Sequence, residues 1–190
     1  MSILLIETVD GVCRATLDRP GRLNALGEEL RSELESLLSK LADDAETRVL
    51  LLQGAGRSFS AGADLRDTPA PAKTWSARRL ASGRWQRLLD QLESIPQVTV
   101  AKLHGHVVGG AVLLAASCDF RVAAEDVDLF IPELALGIPL TWAGLPRLVR
   151  EIGLPRTREL VMTGCHLSGR EAFEWGFVQR LATSDELDAA

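Results

Sequence analysis

The sequence contains no tyrosine, only 5% aromatic residues, and 3 cysteines among its 190 residues. So sparse an aromatic complement offers little surface on which nucleobases could stack. Basic runs are missing too: 21 Lys and Arg stand against 26 Asp and Glu, for a formal net charge of −5. A mildly acidic chain without a basic stripe lacks the electrostatic footprint for a phosphate backbone, so no nucleic-acid partner is expected. Cys13, Cys118 and Cys165 are far apart and outside any CxxC spacing. That pattern fits reduced thiols and predicts a cytoplasmic setting. Long apolar runs are absent as well. The weakly polar stretch Val107 to Ala116 is about ten residues, where a membrane span needs about 20, so no membrane partner is expected. The start, Met1 to Glu7, has no basic segment and reads as a strand rather than a secretory signal.

What is present looks globular: 46% hydrophobic and 25% charged residues, which predicts one domain over 1–190 with its core at about 3–181. Ile3–Val9 and Val12–Leu17 are apolar stretches joined by Asp10-Gly11, a hairpin signal. Leu26, Leu30, Leu34, Leu37, Leu38 and Leu41 recur at helical spacing and make one apolar stripe. Val49–Leu52 reads as a buried strand, followed by a loop carrying Ser58, Ser60, Gly62, Pro69 and Pro71. A helix is expected from Trp75 to Glu93 with Leu80, Leu88, Leu89 and Leu92 inward, then a strand at Val98–Leu103. A turn from Gly105 to Gly110 leads into a short helix, Ala111–Ser117. Strands at Phe120–Ala123 and Val127–Ile131 precede helices at 144–151, 155–163 and 168–175. Alternating sheet and helix predict an α/β layered fold. Thr183 to Glu186 has capping-box spacing, which predicts that 182–190 starts a C-terminal helix that is cut short.

Two glycine-bearing turns each follow a buried strand: Ser58 to Leu65, and His104 to Ala111. Small residues there let a ligand approach free backbone N–H groups, and Gly109-Gly110 also opens a helix. Two such turns facing one point would donate to a developing oxyanion; two turns selected for packing alone would look the same. Neither fits a dinucleotide or P-loop pattern. His104 and His106 form an HxH pair with no third ligand at recognisable spacing, so no metal is expected. His166 reads as a surface residue, and Arg78, Arg79, Arg84 and Arg87 as a solvated helix face.

Taken in order, Asp18-Arg-Pro20, Asn24-Ala-Leu26, Phe59 to Leu65, His104-Gly with Gly109-Gly-Ala111, Cys118-Asp119 and Pro132-Glu133 resemble the crotonase superfamily, the enoyl-CoA hydratases and isomerases, over residues 3–181. The resemblance implies a ββα superhelix, with the usual C-terminal trimerisation helices missing or cut short, an acyl-CoA thioester substrate, and a homotrimer or hexamer. No cofactor is implied apart from the coenzyme A carried by the substrate. By the same resemblance the N–H groups of Ala63 and Gly110 form the oxyanion hole. Ala25 and Leu26 lie against the CoA arm, Ala61, Gly62, Asp64 and Leu65 hold its adenine and pantetheine parts, and Asp64 braces that loop. Gly109, Leu113, Pro132, Thr141 and Trp142 are expected among the residues that bind the substrate and its CoA.

Hydratases of this family use two glutamates. At the first position, three residues after Gly110, this chain has Leu113; at the second it has Glu133. Leu113 is expected to line the pocket, where it can neither orient water nor carry a proton. A lone carboxylate, its pKa raised by desolvation, suits double-bond migration, in which one group takes a proton and returns it elsewhere. The expectation is therefore an isomerase moving the double bond of a 3-enoyl-CoA to the 2 position, with Glu133 as its catalytic residue. A 2-enoyl-CoA hydratase, an acyl-CoA hydrolase and a catalytically impaired CoA-binding subunit are the alternatives. Thr141 stands where dienoyl-CoA isomerases and aryl dehalogenases carry aspartate, which weakens both those readings. Trp142 either narrows the acyl tunnel or merely packs.

Overall fold

Asp10 and Gly11 both take left-handed φ values, 51° and 78°, as a two-residue turn between twisted strands requires. They join β1 (Leu4–Val9) to β2 (Val12–Leu17) in an antiparallel pair. The computed structural model describes residues 2–67 and 74–189, so Pro69 and Pro71 of the expected loop lie outside the described residues. Each later strand of the main sheet adds in parallel: β3 (Val49–Gly54), β4 (Val98–Leu103), β6 (Phe120–Ala124) and β8 (Arg180–Ala182). The six strands run in the order β1-β2-β3-β4-β6-β8. Short strands β5 (His106–Val108) and β7 (Asp128–Phe130) pair in parallel as a second sheet.

Helix α1 (Glu28–Leu41) buries Leu30, Leu34, Leu37, Leu38 and Leu41 as the stripe predicts, each worth about 1.5–3 kcal/mol on burial. Leu26 is not part of it. It precedes the N-cap Gly27 and forms an isolated parallel bridge with Ala63. The expected helix over 75–93 divides at Gly83 into α2 (Trp75–Ser82) and α3 (Arg84–Leu92). The break disrupts the helical phase, so Leu88, Leu89 and Leu92 face the core while Leu80 is 63% exposed.

Helix α4 (Gly110–Ala116) is buried at every position. The two helices expected after residue 144 form one bent element, α5 (Gly144–Thr163), kinked at Gly153 (φ 74°, ψ 164°) just before Pro155. Ser168 and Glu171 complete a capping box at the start of α6 (Gly169–Glu174). Residues 183–189 form successive turns rather than a first helical turn, closed by Glu186 N–H to Thr183 O and Ala189 N–H to Glu186 O. Arg121, 1% exposed, sits in the interior with its guanidinium shared among the carbonyls of Ala115, Cys118 and Phe177 and the carboxylate of Glu151. Its donors are spent on tying β6, α4 and α5 together at the end of α4 away from Gly110.

Candidate active site

The Asn24-Ala-Leu segment is built around a fully buried amide. Asn24, with φ at 53°, donates from Nδ2 to Ala55 O (2.9 Å) and Ser58 O (2.8 Å) and accepts the Arg19 N–H on Oδ1 (2.9 Å). Its carbonyl accepts the Ser60 hydroxyl at 2.8 Å. These bonds hold residues 55–60 against residues 19–24, so Asn24 frames the turn without facing a ligand.

From there, Leu26 N–H donates to Gly62 O (2.8 Å) and Asp64 N–H donates to Leu26 O (3.1 Å). In parallel pairing the residue between two such bonds turns its own N–H and C=O the other way, so the Ala63 N–H points out of this pairing. On the far side, Ser60 N–H donates to His106 O and Val108 N–H donates to Ser60 O, both at 3.1 Å. The two glycine-bearing turns therefore run side by side. Gly62 (φ 79°) lies so close to the second turn that a Cβ there would stand 2.3 Å from Val108 O and 3.4 Å from the Gly110 nitrogen. That contact brings the Gly110 amide beside the α-carbon one peptide bond before the Ala63 nitrogen. Among the described residues, neither amide donates to a protein acceptor, whereas the Gly109 N–H is occupied by Phe130 O at 2.9 Å.

Glu133 enters from the loop after β7. Pro132 O accepts Leu136 N–H and Glu133 O accepts Ile138 N–H, both at 3.0 Å, which winds residues 132–138 into a tight turn. The carboxylate lies over Gly109: a Cβ on that glycine (φ 52°) would fall 2.5 Å from Oε1. Oε2 is buried without a hydrogen-bond partner. Burial raises the Glu133 pKa above its ordinary 4.5, against a smaller opposing pull from a backbone amide. The acid and the Gly110 amide thus occupy adjacent residues of one turn.

The sequence profile of the enoyl-CoA hydratase/isomerase family matches residues 7–190. The chain belongs to that family. It is 39% identical over 165 residues to a Bacillus subtilis (strain 168) protein named as a probable enoyl-CoA hydratase, covering 87% of this chain and 63% of the relative. It is 35% identical over 181 residues to the enoyl-CoA isomerase/hydratase fer4 of Mycosarcoma maydis, covering 90% of this chain and 65% of that protein. The chain therefore spans somewhat under two thirds of the length of these relatives. A Thermobifida fusca protein solved in complex with CoA superposes with a TM-score of 0.89 at 29% identity, covering 99% of this chain and 75% of that one. The crotonase fold expected from the motifs is the fold observed.

In this family member the rim beside Ala63 is cationic. Arg22, Arg57 and Arg66 line a cleft of about 350 Å³ together with Ala25, Ala61, Ala63, Asp64 and Leu65. Asp64 is buried, which raises its pKa, but the Arg66 amide and the Arg19 and Arg22 guanidiniums outweigh that and hold its carboxyl below the ordinary range. It braces the loop. Leu65 is 63% exposed beyond it. The helix arginines are engaged elsewhere: Arg84 pairs with Glu28, Arg87 donates to Leu80 O, and Arg79 lies over Trp75. The side chain of Arg78 lies outside the described residues.

Leu113, expected to line the pocket, is 1% exposed, with both δ-methyls close to Gly144. Thr141 is exposed and its carbonyl accepts the Gly144 N–H at 3.0 Å. Trp142 lies directly over Gly110. His104 Nε2 pairs with Gly56 O at 2.9 Å, and Asp128 lies between His106 (3.2 Å) and the exposed His166 (2.6 Å). Among the described residues no three His, Cys, Asp or Glu side chains converge as a metal site. No described helix is long and apolar enough to cross a membrane. A second cavity, about 330 Å³, opens between Leu51, Val100, Phe120 and Leu187 on the outer face of the main sheet and includes none of the site residues.

Proposed function

We propose that the chain is an acyl-CoA-processing enzyme that converts a 3-enoyl-CoA to the 2-enoyl-CoA. The observation that carries this reading is the carboxyl of Glu133, buried without a partner on Oε2, beside the unpaired amide of Gly110, with Leu113 instead of a second acid three residues further on. Glu133, ionised, takes a proton from C2 of the thioester. The resulting enolate oxygen is stabilised by the Ala63 and Gly110 N–H groups, donors already in place before charge develops. The C2–H bond electrons become the C2–C3 double bond as the C3–C4 double bond is lost, and Glu133 returns the proton to C4. One acid with a raised pKa suits both halves of that transfer.

The CoA arm is assigned to the cleft, with its phosphates near Arg22, Arg57 and Arg66, its pantetheine along Ala25, Leu26 and Ala61 to Leu65, and its acyl group toward Gly109, Pro132, Thr141 and Trp142. Coenzyme A enters as part of the substrate, and no further cofactor is assigned. A trimer or paired trimers in the cytoplasm completes the proposal. Water addition to a 2-enoyl-CoA is the second reading, favoured by the hydratase name of the Bacillus subtilis relative. A panel of 2-enoyl and 3-enoyl thioesters, followed by chromatographic separation of the isomers with mass spectrometry, tests the choice. Migration leaves the mass unchanged, whereas gain of one water from the 2-enoyl substrates, with no conversion of the 3-enoyl ones, refutes the isomerase assignment.

A further inference from the structure

Trp142 and Ala143 hold consecutive left-handed φ values of 57° and 53°, a conformation that L side chains rarely adopt. The surroundings impose it. Arg147, 4% exposed, donates from one nitrogen to Trp142 O at 2.8 Å and from another to Glu93 at 2.9 Å, and it also pairs with Asp90. Both acids belong to α3 or its C-terminal end, and α3 also supplies Trp85, which stacks on Trp142 with ring centroids 4.6 Å apart and planes 16° from parallel. Arg147 of α5, anchored on the acids of α3, thus fixes the backbone of Trp142, and Trp85 of α3 fixes its indole.

The result is a ring pressed onto the site. A Cβ on Gly110 would stand 2.3 Å from Trp142 Cζ3, just as a Cβ on Gly109 would meet the Glu133 carboxylate. Acid and indole cover neighbouring α-carbons of one turn. Behind the indole, Leu113 and Leu140 close against Gly144, where a Cβ would meet them at 2.7 Å and 3.1 Å. In the acyl-CoA reading, a thioester whose oxygen reaches the Gly110 N–H with C2 toward Glu133 brings its acyl group beside that ring.

We infer that Trp142 is the specificity-determining residue of this site: its indole, held by Trp85 and Arg147, is the end wall of the acyl pocket and restricts the enzyme to short acyl chains. The inference rests on the acyl-CoA reading above. Trimming the ring lengthens the pocket, and the methylenes that gain a place there contribute selectivity.

The test compares wild type, Trp142→Phe and Trp142→Ala, each checked for native near-ultraviolet circular dichroism. The quantity read is the ratio of kcat/KM for 3-decenoyl-CoA to that for 3-hexenoyl-CoA. Alongside it, calorimetry measures binding of the saturated decanoyl and hexanoyl thioesters, which needs no turnover. Trp142→Ala should raise both ratios by about 10- to 100-fold, with Trp142→Phe between it and wild type. A merely structural role would lower both chain lengths together, so ratios unchanged within about twofold overturn the inference. If Trp142→Ala does not fold, an unchanged ratio in Trp142→Phe does so instead. Wild type that binds the saturated thioesters but converts no enoyl substrate defeats the isomerase reading alone, and the binding ratios still judge Trp142. Wild type that binds neither thioester defeats both.

Discussion

Replacing Gly62 with alanine tests whether the two amides act from one place. The residue sits at φ 79°, where a side chain costs about 1–2 kcal/mol. Its new methyl would stand 2.3 Å from Val108 O, so the paired turns must part by about 1 Å to restore ordinary contact. A shift of that size at a reacting centre costs about 10²-fold in rate, comparable to removing one oxyanion donor. The backbone strain alone lowers Tm by about 2–8 °C for a chain of this size. Gly176→Ala is the matched control: its φ is 85° and no atom lies within 4 Å of the added carbon. Both variants should lose stability by thermal unfolding, but only Gly62→Ala should lose kcat by about 10²-fold or more. Equal residual activity in the two variants would refute the convergence of Ala63 and Gly110 on one oxyanion.

Glu133→Gln should reduce kcat by about 10²–10⁴-fold while leaving acyl-CoA binding near wild type by calorimetry. The same substitution has a pH signature. Burial raises the native pKa above 4.5, so the unfolded chain releases this proton first, and the stability that goes with protonated Glu133 is full below about 4.5 and declines as pH rises through the native value. Tm profiles of wild type and Glu133→Gln should therefore meet at acid pH and separate toward neutrality, with the variant higher; parallel profiles would contradict a desolvated acid. Asn24→Ala strands the carbonyls of Ala55 and Ser58 and should cost about 2–4 kcal/mol in urea unfolding. Ala143→Gly relieves a left-handed alanine and should gain about 1 kcal/mol by the same measurement.

Where the sequence and the structure agree, the signal is local. Asp10-Gly11 demands left-handed φ values whatever surrounds it, and the leucines of α1 need only helical periodicity to find one face. Glu133 and the two glycine-bearing turns were legible through motif and order, and the raised pKa of the acid follows from placing a carboxyl among apolar neighbours. What stayed hidden depends on distant partners or on very short elements. Strands β5 and β8 have three residues each, too few for alternation to register. Leu80, expected inward, faces out because a break at Gly83 interrupts an otherwise continuous pattern. Spacing sets the helical face of Leu113, while what packs on that face, here Gly144, comes from another helix. The Trp85–Trp142 stack and the Arg147 brace join residues more than fifty positions apart, and no local rule pairs them.

The proposed carbonyl-polarising groups belong to the main chain, held by Asn24, Ser60 and Gly62 rather than supplied by side chains. Point mutation cannot delete a peptide N–H from Ala63 or Gly110 except by installing proline. Side chains at 113, 133 and 142 can therefore be exchanged over evolutionary time while the electrophilic frame persists. A scaffold of this kind separates activation of the thioester from the fate of its carbon skeleton, so new reactions become accessible through one or two substitutions around an unchanged anion receptor.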